Sequence, residues 1–152
     1  IEPEKLLVVR PSFVYGGPRD NSSTLAKIIR DALGERRGIV ATLDPKKWKT
    51  FTNIYDFTFI LSQLIKTRAT GVFNISSNKA QRFESLVGIV EREGLAPEVY
   101  YEPGNDYLGD HIVCGDEALH RAGFDPKTFK PVPYDYGVTR LVEEEIKSAN
   151  NR

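Results

Sequence analysis

Few side chains here are typed and spaced for chemistry. The two histidines, His111 and His120, lie nine residues apart, outside the i, i+4 spacing of a helical zinc site, and Cys114 is the lone cysteine. A metal cluster and an internal disulfide are therefore not expected. No serine sits in a G-x-S-x-G elbow, and neither Gly16-Gly17 nor Gly34…Gly38 makes a G-x-G-x-x-G phosphate loop. Three segments suit binding. Pro11-Ser12-Phe13 follows an apolar run, and α/β sheets place ligands outside the carboxyl ends of their strands. Thr24-Leu25 opens a predicted helix whose free N–H groups and dipole suit a pyrophosphate, although plain capping by Ser22 to Thr24 explains the same residues. Trp48, among Lys46, Lys47 and Lys49, has a ring that can stack on a base or simply pack. From these residues alone no catalytic group emerges.

The elements that must carry them read as alternating strands and helices. Leu6-Leu7-Val8-Val9 is a continuous apolar run ending at Arg10-Pro11, the pattern of a strand buried on both faces of a parallel sheet. Ser12 to Pro18 reads as a loop. Leu25, Ile28, Ile29, Ala32 and Leu33 predict an amphipathic helix stopped by Gly34. A short strand over Ile39–Thr42 and a polar loop over Leu43–Thr50 follow. From Asp56, Phe57, Ile60, Leu61, Leu64 and Ile65 predict a second helix. Val72–Ile75 is then a strand, Phe83 to Val90 a third helix, and Val99–Tyr101 an edge strand. A short helix at Asp116–Leu119 and a last helix through Val138, Leu141, Val142 and Ile146 complete the chain; Glu143-Glu144-Glu145 reads as a solvated face. This alternation predicts an α/β fold with a mainly parallel sheet. Three or four strands fall short of a complete doubly wound sheet.

Composition excludes several classes. The 152 residues suit one domain with a real core, and 40% hydrophobic with 28% charged residues argues against disorder. Lys+Arg and Asp+Glu are both 21, so the basic excess of a general nucleic-acid or membrane-surface binder is missing. No apolar run reaches the roughly 20 residues of a membrane span, and a soluble, cytoplasmic protein is expected. The sequence contains no Met and starts just before an apolar run, so the expectation is a piece of a longer chain, cut shortly before a strand.

Three segments in register resemble the extended short-chain dehydrogenases/reductases, the sugar-nucleotide epimerase, dehydratase and reductase superfamily. They are Val8-Val9-Arg10-Pro11-Ser12-Phe13-Val14-Tyr15-Gly16; Phe51-Thr52-Asn53-Ile54-Tyr55-Asp56 with the later Gly71–Ser76; and Asp116–Leu119 with Gly123-Phe124 and Pro126. Within the superfamily the similarity is greatest to the dTDP-4-dehydrorhamnose reductase branch. It implies the C-terminal part of a Rossmann-like doubly wound sheet plus a small substrate-binding lobe over residues 1–152, with the dinucleotide-binding half absent. The family's Tyr-x-x-x-Lys pair is not in this chain, since none of Tyr15, Tyr55, Tyr100, Tyr101, Tyr107, Tyr134 and Tyr136 has a Lys four residues on. Arg140, four after Tyr136, cannot replace a lysine that lowers a tyrosine pKa while bonding a ribose.

The resemblance implies NAD or NADP in the complete protein, touched here only by Pro11, Ser12 and Phe13. It implies a nucleotide-sugar substrate held by Phe13, Tyr15, Thr24, Leu25, Thr42, Trp48 and Lys49. Lys49 falls where many members carry a phosphate-binding Arg, keeping the charge without the bidentate fork. A second such Arg is missing near Gly109-Asp110-His111. Phe13 stands where epimerases and dehydratases usually have Asn and reductases tend to have Trp, which favours the reductase branch. The partners implied are the missing N-terminal half and the substrate, with a homodimer compatible and neither nucleic acid nor membrane. The alternatives are an epimerase or dehydratase part, or a non-catalytic regulatory or binding protein on the same scaffold.

Overall fold

The computed structural model describes residues 6–17, 24–33, 38–41, 46–95, 98–101, 110 and 112–151. The chain runs β1 (Leu7–Pro11), β2 (Phe13–Tyr15), α1 (Thr24–Leu33), β3 (Gly38–Ala41), β4 (Trp48–Asn53), α2 (Ile54–Lys66), β5 (Gly71–Ile75), β6 (Ala80–Arg82), α3 (Phe83–Arg92), β7 (Glu98–Tyr101), α4 (Asp116–Arg121) and α5 (Tyr134–Asn150).

Three parallel pairings organise the strands. β1 lies on β5 with Leu7 opposite Gly71, β2 on β4 with Phe13 opposite Phe51, and β3 on β7 with Gly38 opposite Glu98. β6 adds to β4 antiparallel. Parallel neighbours need a crossover, and here helices supply it. The mixed α/β, Rossmann-like arrangement agrees with the reading of the sequence.

Two apolar cores divide the molecule. One joins β1 and β5 to α2 and α4 through Ile60, Leu64, Phe73, Ile75 and Leu119. The other joins β2 and β4 to α1, α3 and α5 through Tyr15, Ile29, Phe51, Leu86 and Val138. α2 and α5 bury most of the stripe their sequence period marked, through Ile60 and Leu64 on α2 and Val138, Leu141 and Val142 on α5. Ile65, expected on the α2 stripe, is instead 60% exposed at the helix end.

Among the described residues seven strands replace the expected three or four. The segment read as a Ser12–Pro18 loop contains β2, and the one read as a polar loop to Thr50 contains the start of β4. Lys49, Thr50, Thr52 and Asn53 on β4 are all buried around Phe51, so polar residues occupy both buried faces and hydrophobic alternation cannot mark it. The solvated-face reading of Glu143–Glu145 also needs correction. Glu145 pairs with Arg30 of α1 at 3.0 Å, its side chain only 11% exposed, and so ties α5 to α1.

Among the described residues, no helix is long and apolar enough to cross a membrane, and no group of three or more metal-ligating side chains gathers.

Candidate functional site

The carboxyl ends of β1, β4 and β5 meet at a cluster of hydroxyls. β1 ends at Pro11, and Ser12 turns the chain into β2 while its N–H donates to the Ile75 carbonyl of β5 at 3.1 Å. The Ser12 hydroxyl lies 2.5 Å from Thr52 Oγ1 on β4. Thr52 Oγ1 in turn accepts from the Ser77 N–H at 3.1 Å, and Ser77 Oγ donates to the Phe51 carbonyl at 2.7 Å. Ser12, Thr52 and Ser76 are buried, so these bonds replace water that cannot reach them. Thr52 thus fixes the turn that carries Phe13.

Phe13 itself is half-buried, its ring 5.7 Å from that of Phe51. Pro11 is exposed beside it. The turn offers little to a dinucleotide: the Ser12 N–H and hydroxyl are both engaged within the chain, leaving chiefly apolar surface. Pro11, Ser12 and Phe13 alone therefore do not form a dinucleotide cradle, which a glycine-rich strand-to-helix turn would supply.

Other predicted site residues separate in space. Tyr15 is 2% exposed, packed edge-on against Tyr134 with ring centres 5.8 Å apart. Burial drives its phenol up to about 12, against a lowering hydrogen bond to Asn53. At neutral pH it is a core hydroxyl and not an acid-base group. Leu25 is likewise 2% exposed, in the second core. Either residue can meet a ligand only through its backbone. Thr24 is the first residue of α1. Thr42 lies outside the described residues.

Trp48 opens β4 with 40% of its surface exposed. Its N–H donates to Asp110 Oδ1 at 2.9 Å, and the Arg82 guanidinium sits 4.9 Å over its ring. A cation covers part of the indole, a typical cation–π distance. Lys49, next along the strand, is fully buried. A side chain so enclosed cannot reach out to an external phosphate as an exposed lysine would. Among the sequence candidates, then, Ser12 and Phe13 share one site, and Trp48 stands at the far end of the strand that holds Thr52.

Sequence reasoning missed Thr52, Ser77 and Asn53. Asn53 Oδ1 accepts from the Tyr55 N–H at 3.0 Å, capping α2. That capping residue was legible, since Asn directly before an amphipathic run is a helix-start signal. Thr52 carried no such signal, because its partners are 40 and 25 residues away.

No sequence family and no curated protein matches the chain. Solved structures do. MoeE5 in complex with UDP-glucose and NAD superposes with a TM-score of 0.78 and 22% identity, over 94% of this chain and 48% of that one. A UDP-glucuronic acid 4-epimerase from Bacillus cereus, bound to UDP-4-deoxy-4-fluoro-glucuronic acid and NAD, gives 0.78 and 14% over 95% and 46%. TunA, an NAD-dependent NDP-hexosamine 5,6-dehydratase involved in tunicamycin biosynthesis, gives 0.77 and 19% over 95% and 46%. The structural neighbours are thus NAD-dependent sugar-nucleotide epimerases and dehydratases, of which this chain spans about half the length. At such identities the likeness establishes the fold.

Proposed function

We propose that the chain is the substrate-binding part of an NAD(P)-dependent sugar-nucleotide enzyme, with the cofactor and the proton-transferring Tyr and Lys supplied by a dinucleotide-binding half of the same protein. The observation that carries this reading is the superposition of 94% of the chain on 48% of a UDP-glucose- and NAD-bound structure. β1 adds physical support. Its apolar run is only partly buried, and Leu6 and Val72 beside it are 45% and 50% exposed. Strands of a parallel sheet normally have both faces covered, so this surface suits a further layer of protein.

Within that reading, Phe13 favours reduction over epimerisation. An aromatic ring at the strand end packs on the apolar face of a sugar and offers no hydrogen bond to a hydroxyl. The part alone positions substrate by binding energy remote from the reacting carbon, and has no turnover. Lys49 is enclosed, so phosphate recognition falls to the α1 N-terminus and to cations of the absent half.

Trp48 is the one tryptophan, which makes the test direct. Titrating the chain with UDP-glucose should quench or shift its emission and raise the melting temperature, stabilisation growing as RT ln(1 + [L]/Kd). A Phe13→Asp variant should lose that stabilisation. No response to UDP- or dTDP-sugars up to about 10 mM, a concentration that detects even millimolar affinity, would overturn the substrate-binding reading. Turnover of a keto-sugar with NAD(P)H by the chain alone would overturn the assignment of the catalytic groups to another half.

A further inference from the structure

A cleft that the reading above does not use borders the hydroxyl cluster, with Ser77 in its lining. It has a volume of about 720 Å³ and lies between the turn after β5 and the segment joining α4 to α5. That volume falls within the range of small-molecule sites. Phe129 and Pro126, both partly exposed, provide apolar wall, and Lys79, Lys127 and Lys130 stand around it.

The charge is one-sided. All three lysines are exposed, and among the described residues none forms an ion pair. Carboxylates in the neighbouring elements stand behind the lining and hold it by hydrogen bonds. Asp116 Oδ1 accepts from Asn78 Nδ2, Asp125 Oδ1 from the Lys127 N–H at 2.9 Å, and Asp56 Oδ2 from the Val132 N–H at 2.9 Å. No acidic residue lines the cleft.

The walls are also fixed. Asn78 Oδ1 accepts from the Gly115 N–H at 2.6 Å, and Ser76 Oγ from the Asn78 N–H at 3.0 Å, which pins the turn bearing Lys79. The Asp125 carbonyl accepts from the N–H groups of Thr128 and Phe129 at 3.0 and 2.9 Å, which pins the turn bearing Lys127. Three lysines around one cleft, two of them on hydrogen-bonded turns, beside an apolar wall favour an anion with an organic body.

We propose that this cleft binds a phosphorylated small molecule, its phosphates between Lys79, Lys127 and Lys130 and its carbon skeleton on Phe129 and Pro126. The proposal does not rest on the sugar-nucleotide reading. Pyrophosphate is the probe for the charged end. In amide-resolved NMR titrations of the 152-residue chain, it should shift the amides of Lys79, Lys127 and Lys130 in a saturable way. Lys127→Gln/Lys130→Gln should weaken that binding at least about tenfold, as expected for losing two charge-assisted contacts, whereas Lys27→Gln/Lys66→Gln on α1 and α2 should not. The Trp48 response to UDP-glucose should be unchanged in both double variants. Three results would each overturn the proposal: no shifts at these amides up to about 10 mM pyrophosphate; equal weakening by the Lys27/Lys66 pair, which marks diffuse attraction; or loss of the UDP-glucose response with Lys127 and Lys130, which would merge the cleft with the other site.

Discussion

Replacing Gly137 by Ala in α5 should destabilise the protein, against the usual gain from that change. In a helix interior Gly→Ala is worth about 1 kcal/mol of propensity. Here the new Cβ would sit 2.6 Å from the Tyr15 hydroxyl, 3.1 Å from Asn53 Nδ2 and 3.2 Å from Tyr15 Cε2. Tyr15 is 2% exposed and wedged against Tyr134, so its ring cannot swing away. Overpacking costs about 1–3 kcal/mol, and displacing the Tyr15 hydroxyl from Asn53 about 1 more. The sum, less the propensity gain, is about 1–3 kcal/mol of net loss. For a domain of this size that is a fall in Tm of roughly 2–4 °C per kcal/mol. Urea unfolding followed by circular dichroism measures it. Tyr15→Phe removes the closest atom, so Gly137→Ala should cost less in that background, with a coupling energy near 1 kcal/mol, as contacting residues show. A Gly137→Ala protein as stable as the parent, or an unchanged cost beside Phe at 15, would refute the packing argument.

Thr52→Val keeps the shape but strips the hydroxyl shared by Ser12 and Ser77. It should cost about 1–3 kcal/mol and more than Ser12→Ala, which leaves the Ser77 N–H its acceptor; equal costs in urea melts would refute the shared role. Asp56 has its pKa raised above the usual 3.8, by burial against the lowering hydrogen bond from Val132. Its folded form binds protons more tightly than the unfolded, so stability falls as pH rises from 3.8 through the folded pKa. Asp56→Asn, still accepting from Val132, should flatten that slope and melt higher at neutral pH; a lower Tm there would contradict it. Tyr15, pushed up from 10 to about 12, adds stability that is full below pH 10 and lost as pH rises through 12. Tyrosinate absorbance should therefore show this phenol ionising near 12, well above an ordinary tyrosine; a normal titration near 10 in the folded state would refute its burial.

The apolar period marked the helices and the strands β1 and β5, although β1, expected to be buried on both faces, is only partly buried and Val72 on β5 is 50% exposed. It missed β4 for a physical reason. Buried Lys49, Thr50, Thr52 and Asn53 surround Phe51, so neither face of the strand shows a hydrophobic pattern; polar side chains there find distant partners, such as the Val113 N–H that Thr50 Oγ1 accepts at 3.0 Å. β2 was missed because three residues are too short for any period to register. Of the candidate site, Pro11–Phe13 was legible from its place after a parallel strand. The withdrawal of Tyr15, Leu25 and Lys49 into the interior was not, since one residue's type does not say which face it takes.

Those withdrawals share a cause with the cluster that remains. Where β1, β4 and β5 end, the two apolar cores meet, and the backbone must change direction to leave the sheet. Each turn frees N–H and carbonyl groups that water cannot reach, and a buried unpaired donor costs about 1–3 kcal/mol. Ser12, Thr52 and Ser77 meet that demand with three short hydroxyl side chains bound to one another and to main chain. Apolar residues could not do so, and larger polar ones would not fit. The same requirement that makes this joint polar leaves Phe13 at its edge, an aromatic surface on a turn held from three strands. A ligand resting there would meet a fixed platform, with no ordering of the turn to offset on binding.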